Sequence, residues 1–443
     1  MMELDTKTRA QGSSLSGAYA RTALLAVTFP ALLAIEFWRS ASWRHRHWIV
    51  TLFFTVFGSV ILLGGGDGYR HQLHVELYYT QVPITVWLDD LWRMLTFQLT
   101  DSPAKDVYKH VVSYFFGGVL GAPQLFFPFV AFVYGYFYAG SVLHVLRNFN
   151  LSAANYVILS FVFVFLFVKG LEGFYTVRTW TGLWILVYAT LKYYEERRLR
   201  YALLMFVPPF IHIGFFVMAI PAWIVLFFGN RVILYTGIFL VSSVTTVLPV
   251  QDVTSFIAQT ERGEHQVRAY SREQQSDAVE DFQRIREETN FYNAYRRAGL
   301  QRWAPTVLVF ALLASGAYLR FMTPYQRSIF SIGILTLALS NMTWFLFAVH
   351  NRTLTIAMVF ILAAFLLARL DPETKKHFQA LPPWYTWGLH LSLLLFVPLM
   401  MFQVSVVMDR MSVFVFGFPF VVWLFPELNL SVKEALNMLL GRG

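Results

Sequence analysis

The sequence predicts an all-α fold, a polytopic integral membrane helical bundle of about 11–13 transmembrane helices with an extracytoplasmic loop region. Three observations predict it. Hydrophobic residues fill 57% of the 443 positions, and mean hydropathy is +0.52, well above that of a soluble domain of this length. Only 14% of residues are charged while 18% are aromatic, the balance of lipid-facing helices with interfacial Trp and Tyr. Apolar runs near the roughly 20 residues that cross a bilayer recur along the chain, so residues 1–443 read as one transmembrane domain.

The first twenty residues are polar. The next run, 22–37, ends in Trp38-Arg39 rather than in a small-residue cleavage site, and reads as a retained span, not a signal peptide. Spans are expected at 20–38, 48–65, 123–144, 153–170, 179–194, 203–228, 231–248, 305–322, 328–349, 352–369, 385–407 and 411–427. The run 203–228 carries Pro208-Pro209 and Pro221, which interrupt the helical hydrogen-bond ladder. It is one kinked span or two half-helices that turn back. Basic connections at 39–47, 192–200 and 369–376 place those segments in the cytoplasm. Loop 66–122 and the corners 171–178 and 350–352 are then extracytoplasmic. The polar insert 249–304 joins them if 203–228 returns to the side it came from; a single crossing puts the insert inside and reverses every later loop.

Loop 66–122 holds short amphipathic pieces, such as 86–99, suited to the outer membrane surface. The insert carries eight Arg and eight Asp or Glu between Glu261 and Arg302. Val279, Phe282, Ile285 and Thr289 recur there at helical spacing, which predicts a solvated surface helix. The net charge of +9 fits cytoplasmic loops lying on anionic lipid, so the bilayer is the expected partner and nucleic acid is not. With no cysteine, the chain has no disulfide, catalytic thiol or thiolate metal site.

The run Gly64-Gly65-Gly66-Asp67-Gly68-Tyr69-Arg70-His71 directly follows the second span. It sets an acid, a phenol, a guanidinium and an imidazole at a membrane mouth, where polar chemistry on a lipid-linked substrate can occur. The topology gathers further ionisable groups on that side: His74, Asp106, Lys109, His110, Arg178, Arg352 and Arg410. Arginines at outer ends run against the positive-inside bias. A phosphate-bearing lipid would hold them through bidentate hydrogen bonds; snorkelling, or pairing with a nearby acid, is the alternative. On a helix, Asp67, Arg70, His71, His74 and Tyr78 share one face. Asp67, His71 and His74 form a conceivable metal set that the intervening arginine opposes, and Asp67 also suits a helix cap. His212 sits inside an apolar run after two prolines. It is a core histidine or, since broken helices at membrane depth line cavities, a general base.

These residues resemble those of the EpsG/Wzy-type polysaccharide polymerases, integral membrane glycosyltransferases of the broad C-type class. The Gly-x-Asp-x-x-x-Tyr-like element after the second span is similar to Gly65-Gly66-Asp67-Gly68-Tyr69. An acidic element before the third span is met by Lys105-Asp106-Val107-Tyr108 through Tyr114-Phe115, and a span opening with Arg by Tyr175-Thr176-Val177-Arg178-Thr179. A basic turn and a mid-run His follow in Arg197-Arg198-Leu199-Arg200 and His212, and a late Arg in His350-Asn351-Arg352. The resemblance covers about residues 20 to 370. Thr179 stands where the family commonly has Gln, and the insert 249–304 is longer than the family pattern.

The resemblance implies metal-independent polymerisation of polyprenyl-pyrophosphate-linked oligosaccharide units on the outer face of the bacterial inner membrane, with no cofactor. Arg178 and Arg352, with Arg70 and Arg410, would hold the pyrophosphate. His212 or Asp67 would take the proton from the attacking hydroxyl. Asp106, a further catalytic candidate, and Tyr69 would orient the acceptor sugar, with His71 and His110 also sugar-binding. A chain-length-regulating co-polymerase is the implied protein partner. A lipid-linked oligosaccharide flippase, a ligase using the same chemistry and a membrane O-acyltransferase are the competing readings. Against the flippase stands the absence of visible two-fold repetition; against the acyltransferase, the lack of an Asn paired upstream with the His.

Overall fold

The computed structural model describes residues 17–98, 100–244, 290–297, 299–344 and 346–441, and every regular element among them is helical. A backbone immersed in lipid must satisfy its own polar groups, and an apolar chain does so locally by coiling. Three helices are long and apolar enough to cross a bilayer: Pro123–Val145, Ala348–Leu370 and Pro383–Arg410, of 23, 23 and 28 residues. This is the build of a helical membrane protein. The surface helix expected around Val279, Phe282, Ile285 and Thr289 lies outside the described residues.

The main elements are α1 (Trp43–Ser59), α2 (Asp67–Leu73), α3 (Val107–Tyr114), α4 (Phe126–Val145), α5 (Tyr156–Phe167), α6 (Thr179–Glu196), α7 (Val232–Val244), α8 (Trp303–Ala314), α9 (Pro324–Met342), α10 (Phe347–Leu370) and α11 (Pro383–Arg410). Local chemistry sets their ends. Ser42 accepts from the His45 N–H at the start of α1, and Asn155 from the Ile158 N–H at the start of α5. Thr323 and Gln326 form a reciprocal capping box at α9.

Several expected spans are interrupted. Pro30 divides the first run into two helical pieces. Gly316, at φ +67, ends α8 and leaves Ala317–Arg320 as a separate turn. Residues 411–427 form no continuous helix, because Pro419 and Pro426 restart the chain as short turns. The amphipathic piece of loop 66–122 runs Ile84–Leu95, with Leu88 and Trp92 exposed on its apolar face.

The core centres on α10, whose residues from Ile356 to Leu366 are all essentially inaccessible. A helix apolar on every side is stable only when surrounded. Helix α9 lies along it, and α7 runs parallel to α9, with Asn230 bonded to Ser331 near one end and Asn341 to Ser242 near the other. Segment 203–228 is not one helix. Its two arms fold side by side, the Trp223 indole N–H donating to the Met205 carbonyl at 3.0 Å and its ring stacking on Phe206. The apex of this hairpin is the extended residue His212, at φ −152 and ψ 122, between the short helices Pro208–Ile211 and Phe215–Met218.

Candidate functional site

Asp106 is the N-cap of α3, a favourable place for a carboxylate beside the exposed N–H groups of a helix start. Its side chain is 1% exposed. Oδ2 accepts from Arg178 Nη1, and Oδ1 accepts the Ile213 backbone N–H at 2.8 Å. Oδ1 also stands 3.2 Å from His212 Nδ1. On the far side of the imidazole, Nε2 lies 3.1 Å from Arg352 Nη1. A guanidinium can only donate, so Nε2 accepts there, and the one ring proton sits on Nδ1, donated to Asp106. The result is a continuous chain, Arg178–Asp106–His212–Arg352, drawn from four separate segments.

Each segment is shaped to present its member. Arg178 caps the start of α6 after a γ-turn at Val177, where φ is +62 and the Arg178 N–H donates to the Thr176 carbonyl. A β-branched residue there is strained, at a cost of about 1–3 kcal/mol held by the surrounding packing. Pro208-Pro209 and the break after Ile211 turn His212 out of the helical ladder towards α3. Arg352 sits early in α10. Arg178 stands at a helix N-terminus, where the backbone dipole favours negative charge, and Arg352 lies one turn inside its own helix. Leu95, Pro209, Ile213 and Phe216 line a small pocket together with Asp106. Burial alone would raise the Asp106 carboxyl, but the bond from His212 and the charge on Arg178 hold it well below the usual carboxylate range.

The glycine run serves a packing role beside this array. Gly66 adopts φ +96, open only to glycine, and a Cβ on Gly68 would lie 2.3 Å from the Tyr175 ring. The Tyr175 hydroxyl donates to the carbonyls of Leu63 and Gly65 at 2.8 and 2.7 Å, so this ring pins the run and the start of α2. Arg410 stacks on the same ring, with Cζ 3.3 Å from its centroid, and its Nη1 is buried without a hydrogen-bond partner. Asp67 is 57% exposed and pairs with Arg70; Tyr69 is exposed beside them.

The remaining candidates separate into two groups. His71 is buried with Nδ1 unpartnered, and His74 Nδ1 lies 3.0 Å from the Lys109 ammonium. With Asp67 turned to Arg70 and His74 to Lys109, these side chains do not assemble as a metal set. His110 belongs elsewhere. Its Nε2 lies 3.1 Å from the Trp87 carbonyl, its Nδ1 2.9 Å from the Tyr79 hydroxyl, and its ring stacks on Trp87. This largely buried network ties Ile84–Leu95 to α3, and leaves the ring no nitrogen for a sugar. Glu172, inconspicuous in the sequence, has a carboxylate that takes Lys169 Nζ at 2.5 Å and keeps Oε2 buried and unbonded. The i, i+3 spacing of Lys169 and Glu172 was the available signal.

Away from the array, a largely apolar groove of about 1060 Å³ runs between α5 and α11, from Tyr156 and His390 to Met408 and Lys433. No family model matches this chain, and neither a curated protein nor a solved structure proved similar to it.

Proposed function

We propose that this protein is a membrane glycosyltransferase that polymerises polyprenyl-pyrophosphate-linked oligosaccharide units into a surface polysaccharide. In this reading it works at the outer face of the bacterial cytoplasmic membrane as a multi-pass protein of about 11–13 spans. The observation that carries the reading is the buried chain Arg178–Asp106–His212–Arg352, which joins a base to two phosphate-binding cations. The folded-back arms of 203–228 support an apex reached from the outer side. The groove between α5 and α11 supports a place for an isoprenoid chain.

The chemistry is a displacement at the anomeric carbon. An acceptor hydroxyl forms the new C–O bond as the bond from that carbon to the pyrophosphate oxygen breaks. Arg352 turns from His212 Nε2 to the incoming phosphate, and Nε2 then takes the hydroxyl proton. Asp106 bonds the opposite ring nitrogen and stabilises the imidazolium that forms, the role a carboxylate plays behind a catalytic imidazole. Arg178 and Arg352 offset the charge that develops on the departing pyrophosphate. Asp106 thus serves His212 and Arg178, with both oxygens engaged, in place of the acceptor sugar.

Arg178→Ala tests this directly. Polymer should disappear while the protein remains in the membrane at its usual level; normal polymer with this variant removes Arg178 from the site and the reading with it.

A further inference from the structure

Lys109, in the first turn of α3, is only 2% exposed. Its ammonium donates to His74 Nδ1 at 3.0 Å and to the Pro103 carbonyl at 3.5 Å. Among the described residues no carboxylate stands within ion-pairing distance of it. The two acids whose charge acts on it are committed, Asp106 to Arg178 and Asp67 to Arg70. Three cations (Lys109, Arg178, Arg70) thus face two anions, with His71 and His74 adding no negative charge. A buried ammonium with no counter-charge is costly, and an anionic ligand at this point would supply the missing charge. A second observation points to the same ligand. His71 is more than nine-tenths buried beside Lys109, and its Nδ1 has no hydrogen-bond partner.

We propose that Lys109, with His71 beside it, is an anion-binding site that takes a phosphate group of the lipid carrier. The site rests on the stranded ammonium; the identity of the anion as a diphosphate rests on the glycosyltransferase reading above. Burial pushes the Lys109 ammonium down to about 7, and Arg178 adds to the effect. An arriving phosphate reverses that balance and holds the proton on Nζ.

The test uses the full chain in lipid nanodiscs, titrated calorimetrically with inorganic pyrophosphate and separately with inorganic phosphate. Lys109→Met should weaken pyrophosphate binding roughly tenfold or more, the loss of one charge-assisted contact. It should also melt above the wild-type temperature, because it removes a buried ammonium that has hydrogen-bond acceptors but no counter-charge. A Lys109 that merely holds the fold together would lower the melting temperature instead. Wild-type affinity in Lys109→Met overturns the inference, as does weakened binding with a lowered melting temperature that Lys109→Gln shares. Pyrophosphate binding lost in Arg178→Ala but kept in Lys109→Met leaves the glycosyltransferase reading standing and removes Lys109. Lys109-dependent binding of phosphate without pyrophosphate keeps the anion site and sinks the diphosphate. Failure of the wild type to bind either anion overturns both.

Discussion

Replacing Asp106 by Asn preserves the shape of the side chain and removes its charge. Oδ1 must remain an oxygen to accept from Ile213 and His212, so the new amide N–H₂ is turned against Arg178 Nη1, donor against donor. Arg178 loses its carboxylate while remaining mostly buried, with 24% of its side chain exposed. Stranding one member of a buried ion pair costs about 3–5 kcal/mol, and partial exposure of the guanidinium places this case near the lower figure. The amide also gives up the negative charge that favours a positive imidazole. A rate loss on the order of 10²–10⁴ follows from disabling the general base. The assay is a thermal melt of the purified protein, paired with initial rates of chain extension on a lipid-linked repeat unit. Arg178→Ala combined with Asp106→Asn should melt higher than Asp106→Asn alone, since the stranded cation is gone. An Asp106→Asn variant that melts with the wild type, or a double variant whose losses simply add, refutes the coupling of these two side chains.

His212→Gln should lower the extension rate by roughly 10²–10⁴ with little change in KM, as expected for a group that acts in proton transfer; a wild-type rate removes His212 as the base. Gly68→Ala forces a methyl into the Tyr175 ring and should destabilise the protein by about 1–3 kcal/mol. The same change in a Tyr175→Ala background should be nearly silent in a melt, and an equal loss there contradicts the packing role of Gly68. For Lys109, burial lowers the folded-state pKa from 10.5 to about 7, so the native state binds its proton less well than the unfolded chain. The penalty is fully present below pH 7 and is relieved as pH rises from about 7 towards 10.5. Stability should climb through that window, by at most about 5 kcal/mol, and Lys109→Met should abolish this component of the climb. Chelator should leave extension unchanged, because Arg178 holds the Asp106 carboxylate and Arg70 the Asp67 carboxylate, and each opposes a divalent cation there; inhibition reversed by added Mg²⁺ would contradict that.

Much of the fold was legible because lipid imposes a strong rule. Apolar runs must coil, and the hydropathy of 126–145, 347–370 and 383–410 marks those helices in the chain itself. Pro208-Pro209 announce the interruption in 203–228, whereas hydropathy alone favours a span at 411–427 that Pro419 and Pro426 break into short turns. His212 and Arg178 stand out individually in the sequence, one as an imidazole in an apolar run, the other as a cation at the start of an apolar run. That His212 meets Asp106 is invisible in sequence, since 106 residues separate them and only the fold of the hairpin joins them. The glycine run drew attention as chemistry, yet Gly66 and Gly68 answer to backbone conformation and to the Tyr175 ring more than 100 residues later. Lys109 has an ordinary local sequence. Its character comes from having its acids taken by arginines in three dimensions, which no spacing rule reports.

The most direct measurement is mass spectrometry of lipid-linked glycans from cells lacking this protein, resolved by length and by the membrane face they occupy. Restoring the wild-type chain should restore polymer, and restoring Arg178→Ala should not. The account predicts single repeat units accumulating on the outer face with no polymer. Single units trapped on the inner face would make the protein a flippase and contradict the assignment of His212 and Asp106 to bond formation.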